Sequence, residues 1–198
     1  MFGTSAPSPP AQPEAGDRPV RLSFPAEGLP LDGLILRIPR VDDVQAVAPA
    51  FADSELREAA NLPAFRPDDL VELLPQIGEL IASGRLAPLL VAEPRTGEIL
   101  GGGALHHLDA ERRIIEIGYW LFPRARSRGV ATKVARALAE HAFALGVQRV
   151  VAYVNAGNRD SERVLERAGF TREGISRSMP KPDGRRINKT GYSLLPGE

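Results

Sequence analysis

The chain has 198 residues, 43% of them hydrophobic and 25% charged, with 25 lysines and arginines balancing 25 aspartates and glutamates. That profile fits one globular domain with a sizeable core, and the lack of any cysteine excludes disulfides, thiolate metal sites and cysteine nucleophiles together. No apolar run approaches the ~20 residues of a membrane helix, and the N-terminus has no signal-like apolar core, so a cytoplasmic enzyme or binding protein without a membrane partner is expected. The neutral total hides an asymmetry. Residues 1–100 carry 8 basic against 15 acidic side chains and residues 101–198 carry 17 against 10, which makes the halves −7 and +7. A polyanionic ligand belongs on the second half. Nucleic acid would call for a more basic domain, so a small phosphorylated ligand fits better.

Seven of the 18 prolines fall within residues 1–30, a composition that reads as a flexible leader, with the folded domain expected over 31–198. The run Leu34–Ile38 predicts a first strand. "VDDVQAVAPAFAD" predicts a helix with Asp42 as its N-cap, and "RPDDLVELLPQIGELIASG" a second, disturbed at Pro75 and closing at Gly84. Three apolar runs, "APLLVAE", "EILGGGALHHL" and "RRIIEIGYWLF", are separated by "PRTG" and "DAER" and predict an antiparallel meander. The triple glycine 101–103 marks a bulge or a close backbone contact, since no helix follows it. "SRGVATKVARALAEHAFALG" predicts a helix from about Ser127 or Arg128, with Val130, Val134, Leu138 and Leu145 on one face and Gly146 at its end. A buried strand "QRVVAYVN", a helix from Asn158 to Ala168 closed by Gly169, and the strands "TREGISRS" and "NKTGYSLL" complete the chain. The fold class expected is mixed α+β, a mostly antiparallel sheet of about seven strands with about four helices.

The stretch "RARSRGVATK" concentrates Arg124, Arg126 and Arg128 ahead of Gly129 and a helix start. First-turn N–H groups lack intrahelical partners and the helix dipole favours an anion there, so the arrangement predicts a pyrophosphate cradle. "RSRGVA" resembles the R/Q-x-x-G-x-G/A motif of the GNAT superfamily of acyl-CoA N-acyltransferases. The surrounding "EIGYWLFPRARSRGVATKVARALAEHAFALGVQRVVAYVNAGNRDSERVLERAGFTREG" is similar to the RimJ/RimL-type branch, which includes ribosomal-protein N-terminal acetyltransferases. The similarity extends over roughly residues 31–195.

That resemblance implies acetyl-CoA or another acyl-CoA as co-substrate. Its pantetheine would pair near Leu121 and Phe122, and its pyrophosphate would lie on Arg126, Ser127, Arg128, Gly129, Val130, Ala131 and Thr132. Asn158 and Ser161 would sit near the thiol, Ser161 as proton donor to the leaving thiolate, because Leu165 stands where many relatives carry a tyrosine. Glu116, a carboxylate in an apolar strand, reads either as a general base for the acceptor amine or as a structural partner of Arg112 or Arg113; apolar surroundings would favour its proton-carrying form. A backbone N–H in "YWL", freed by a bulge, would polarise the thioester carbonyl. The histidines predict no metal centre: His106 and His107 are neighbours on a strand and should face opposite ways, and His141 has no ligand one turn away. Asn188 replaces an Asp common in the branch, and the basic run Arg177, Lys181, Arg185, Arg186 and Lys189 reads as a solvated edge or as a preference for acidic groups. The activity expected is acyl transfer to a primary amine, on a protein N-terminus or a small molecule such as an antibiotic or polyamine. A catalytically silent acyl-CoA-binding module is the alternative, and the reading leaves room for a homodimer.

Overall fold

Alternation along the strands sorts apolar side chains onto the two faces of one sheet, and helices cover both. The computed structural model describes residues 19–181 and 183–198. The strands are β1 (Leu29–Leu31), β2 (Leu34–Arg37), β3 (Leu86–Ala92), β4 (Ile99–Asp109), β5 (Ile114–Leu121), β6 (Arg149–Asn155), β7 (Thr171–Pro180) and β8 (Arg186–Leu194). They run side by side in the order β1-β2-β3-β4-β5-β6-β8-β7. All neighbours are antiparallel except β5 and β6, a parallel pair that needs a crossover. Helix α5 (Val130–Ala144) supplies it.

The mixed, mostly antiparallel sheet matches expectation, with eight strands where about seven were expected. The additional strand is β1, which turns back into β2 at Asp32 and Gly33, both at positive φ (43° and 85°). Pro30 sits inside β1, which is tolerable because β1 is an edge strand. The expected domain start at residue 31 is therefore too late. Val20, Leu22, Leu29 and Leu31 belong to the main core, Phe24 stacks on His141 at 4.7 Å, and the His141 Nε2 lies 2.7 Å from the Ser23 carbonyl. The proline count hid these apolar residues. The part of the expected leader before residue 19 lies outside the described residues.

The helices also divide more finely than expected. The first run becomes a 3-10 turn (Val41–Asp43), α1 (Val44–Ala52) and α2 (Ser54–Ala60). Asp53 ends α1 and caps α2, accepting from the N–H groups of Glu55 (2.9 Å) and Leu56 (3.0 Å). Asp43, not Asp42, is the carboxylate that fixes this entry. It accepts two bonds of 2.7 Å from Arg37 and one of 2.7 Å from the Arg40 N–H. Burial alone would raise its pKa, but these bonds hold it below the usual carboxylate range. Pro75 splits the second run into α3 (Pro67–Leu73), a 3-10 turn (Leu74–Gln76) and α4 (Ile77–Ala82).

On one face α4, α5 and α6 (Arg159–Arg167) close over Leu89, Leu105, Ile115 and Val150. On the other, α1, α2 and α3 close over Leu90, Ala92, Trp120 and Phe122. Fully buried Val134 and Leu138 of α5 each contribute about 1.5–3 kcal/mol of burial. Their approach explains the triple glycine: a Cβ on Gly103 would stand 2.9 Å from Val134 Cγ1, and one on Gly102 would stand 2.6 Å from Trp120 Nε1. The glycines mark close contact, with β4 in unbroken register against β5 from Gly101 to His106.

Candidate acyl-CoA site

The sheet opens at its centre. β5 and β6 pair only at Ile114–Arg149, Ile115–Val150 and Glu116–Val151, although β5 runs on to Leu121 and β6 to Asn155. Beyond Glu116 the β5 edge facing β6 has no strand partner among the described residues. The Phe122 N–H bonds the Leu100 carbonyl at 3.0 Å. Strand alternation therefore turns the Tyr119 and Leu121 backbone groups away from β4, towards the gap. The free N–H groups expected from a bulge arise instead from this divergence of two strands, because β5 keeps its register with β4 from Glu116 to Leu121.

The N-termini of α5 and α6 stand over the gap and enclose a cleft of about 470 Å³. Leu121, Arg126, Ser127, Gly129, Val130, Ala131, Thr132, Asn158 and Ser161 all line it. Phe122 and Arg128 do not. Phe122 is buried against Trp120, ring centroids 5.2 Å apart, with the Arg124 guanidinium over its other side at 4.5 Å. Arg128 points into solvent without a hydrogen bond among the described residues. The three alternating arginines thus differ: Arg124 is fixed on Glu98 (2.8 Å) and the Ile99 carbonyl (2.7 Å), and Arg126 reaches the Leu121 carbonyl at 3.3 Å while lining the cleft.

Helix α5 starts at Val130, two or three residues later than expected, after a 3-10 turn (Pro123–Ala125) and two residues at positive φ, Ser127 (61°) and Gly129 (73°). A Cβ on Gly129 would meet no atom within 4 Å. The backbone at this position favours glycine, and the space that a Cβ would take is open. The first helical bond is Lys133 N–H to the Gly129 carbonyl at 3.1 Å, so the preceding N–H groups have no intrahelical carbonyl within reach. At α6, the Asn158 side chain accepts from the Ser161 N–H at 3.2 Å. The Ser161 hydroxyl is left unbonded among the described residues.

Several cleft residues were missed from sequence. Tyr119 donates its phenol hydrogen to the Ser161 carbonyl at 3.1 Å, tying α6 to the floor strand, and burial pushes its pKa well up so that it stays protonated. Arg163 and Arg167 join Arg126 on the lining against a single carboxylate, Asp160, an excess of positive charge suited to phosphates. No local signal in the sequence of α6 places its arginines across from α5.

Glu116 lies at the last β5–β6 rung, on the α1–α3 side of the sheet and outside the cleft lining. Its partner is neither expected arginine. Arg112 bonds Asp109 at 2.7 Å, and Arg113 reaches the Gly146 carbonyl. Histidines surround the carboxylate instead: Oε2 is 3.2 Å from His107 Nδ1 and 3.9 Å from His106 Nδ1. The expectation that His106 and His107 face opposite ways fails because His107 adopts φ 53° where β4 loses register with β5, before Asp109. That twist brings the two Nδ1 atoms to 3.1 Å. Burial lowers the pKa of His106, against the opposing pull of Glu116.

In the C-terminal basic run Arg177, Arg185 and Arg186 are exposed, as a solvated edge would be, and Lys181 is the exception. Lys181, its side chain 2% exposed, pairs with Glu58 of α2 at 2.6 Å, and Arg185 pairs with Glu58 and Asp183. Asn188 serves the sheet: its Oδ1 accepts the Ser178 N–H at 3.2 Å where β7 bulges against β8.

A family model described as "Acetyltransferase (GNAT) domain" matches residues 33–171. The chain belongs to the GNAT acetyltransferase family. An uncharacterized N-acetyltransferase, p20 of Bacillus licheniformis, is 26% identical over 174 residues, 87% of this chain and 98% of the relative. The structure of the microcin C7 self-immunity acetyltransferase MccE with acetyl-CoA and AMP superposes with a TM-score of 0.75 at 21% identity, over 87% of this chain and 98% of that one. Mycobacterium smegmatis RimJ with CoA-disulfide superposes with a TM-score of 0.73 at 22% identity, over 90% and 86%. This GNAT chain is an acyl-CoA-dependent N-acetyltransferase with acetyl-CoA as co-substrate. Among the described residues no helix is long and apolar enough to cross a membrane.

Proposed function

We propose that this enzyme acetylates the α-amino group of a protein N-terminus, by direct attack of the amine on acetyl-CoA in a ternary complex. The observation that carries the reading is the gap between β5 and β6, which begins at Glu116 and ends under two helix N-termini. The diphosphate would lie on the Arg126–Thr132 backbone, with Arg126 and the α6 arginines close by. The pantetheine would follow the free edge of Tyr119 and Leu121, whose N–H groups point where a thioester carbonyl gains negative charge. Glu116 would take the ammonium proton, directly or through water. The amine nitrogen then bonds the carbonyl carbon and sheds its second proton to solvent, the C–S bond breaks, and Ser161 gives its hydroxyl proton to the leaving thiolate and regains one from water. A covalent acyl-enzyme is disfavoured: there is no cysteine, His106 and His107 are engaged with Glu116, and His141 is held at Ser23.

The α-amine is favoured over a lysine-like amine on physical grounds. An α-amine, with a pKa of about 7.7–8.0, is partly unprotonated near neutrality, whereas a lysine, at about 10.4, needs a stronger base than a carboxylate already bonded to imidazole. Initial rates on a panel of N-terminal peptides, N-blocked lysine peptides and spermidine would decide. Free α-amino peptides should react with the highest kcat/KM; exclusive turnover of spermidine or another small amine would replace this reading with the small-molecule one, and acetyl-CoA binding without turnover of any amine would point to a silent binding module.

A further inference from the structure

Three ligand-type atoms meet at one point beside the β4–β5 irregularity: His106 Nδ1, His107 Nδ1 and Glu116 Oε2, at separations of 3.1, 3.2 and 3.9 Å. As hydrogen-bond partners they are ill matched. If His107 Nδ1 carries the proton and gives it to Glu116, His106 Nδ1 faces the same hydrogen with nothing of its own to offer. If His106 carries it, the His107 lone pair faces a carboxylate. A small cation at the centre satisfies all three lone pairs together. Bond lengths of about 2.0–2.2 Å to nitrogen and oxygen in a tetrahedral site place ligand atoms about 3.3–3.5 Å apart, close to the separations seen. The backbone goes with these distances: His107 reaches the cluster at φ 53°, a left-handed conformation that costs a non-glycine residue about 1–3 kcal/mol.

We propose that His106, His107 and Glu116 form a binding site for one divalent transition-metal ion of the zinc class, open at its fourth position. His107, with 76% of its side chain exposed, gives the ion its entry from solvent. Two imidazoles and a carboxylate suit Zn²⁺ better than hard ions such as Mg²⁺ or Ca²⁺. The ion is no cofactor of acetyl transfer. It occupies the Glu116 lone pair that the proposed mechanism, on which this consequence rests, uses for the acceptor proton, and so acts as an inhibitor.

The site is tested without any acyl-CoA, by calorimetric titration of ZnCl₂ into untagged, chelator-treated full-length protein, with Co²⁺ as a spectroscopic probe. One ion per chain is expected, with the intense visible bands of four-coordinate Co²⁺. His107→Ala, an exposed change that spares the fold, and Glu116→Gln should each weaken zinc binding at least about tenfold, while His141→Ala should leave it unchanged. Absence of saturable binding, or binding that survives His106→Ala combined with His107→Ala, overturns the proposal. Zinc that binds there but leaves acetylation untouched keeps the site and removes Glu116 as the base.

Discussion

Replacing Gly129 separates what the position does for the chain from what it does for the ligand. Its backbone lies at φ 73°, ψ 1°, where an L-residue costs about 1–2 kcal/mol, and an added Cβ would meet no atom within 4 Å. In the free protein Gly129→Ala should therefore lose backbone energy alone, a Tm decrease of about 2–8 °C for a domain of this size. Gly129 lines the cleft, so a side chain added at this position is expected to take space where phosphate oxygens approach the helix start. Losing one hydrogen bond to a charged acceptor, about 1.5–3 kcal/mol, weakens CoA binding about 10–150-fold. Gly129→Asn is the sharper test, because asparagine tolerates the left-handed region: its Tm should fall less than that of the alanine variant while its CoA affinity falls at least as far. Melting curves and calorimetric CoA titrations measure both quantities on the same samples. An asparagine variant that binds CoA with the wild-type Kd would refute placement of the diphosphate at this turn.

Leu22→Ala should cost about 2–5 kcal/mol, read as a Tm loss of at least several degrees, because Leu22 is buried in the main core; an unchanged melt would restore the whole of residues 1–30 to a dispensable leader. Ser161→Ala should lower kcat by less than the roughly 100-fold lower end of acid–base catalysis, since a thiolate leaves with little help, and should leave the fold intact because Asn158 caps α6 through the Ser161 N–H. Product-formation kinetics with unchanged CoA affinity check it.

The turn that opens α5 was legible because its signals are local: a run of arginines, a glycine and a helix start within ten residues. The meander was legible for the same reason, as period-two apolar runs between turn residues. What the sequence hid depends on pairing between distant segments. The β5–β6 gap is invisible in "IEIGYWLF", which reads as one continuous strand; the opening comes from where β6 parts from it. The histidine cluster was misread because strand alternation assumes extended backbone, and nothing in "LHHLD" announces a left-handed His107. Lys181 looked like one charge in a basic run until α2 brought Glu58 against it. Val20 and Leu22 were discounted because composition was averaged over a proline-rich window, although two apolar side chains at alternate positions are enough to anchor a segment.

The central claim is that Glu116, at the foot of the gap, takes the proton from the acceptor amine. The pH–rate profile of Glu116→Gln beside the wild type tests it most directly, with an α-amino peptide as acceptor and zinc removed by chelation. The account predicts a loss of kcat/KM of roughly 10²–10⁴ near neutrality. Part of that rate should return as pH rises through the amine pKa, where the acceptor arrives unprotonated, and CoA affinity should stay unchanged. A loss equal at every pH, together with an early melt, would contradict it and make Glu116 a structural partner of His106 and His107.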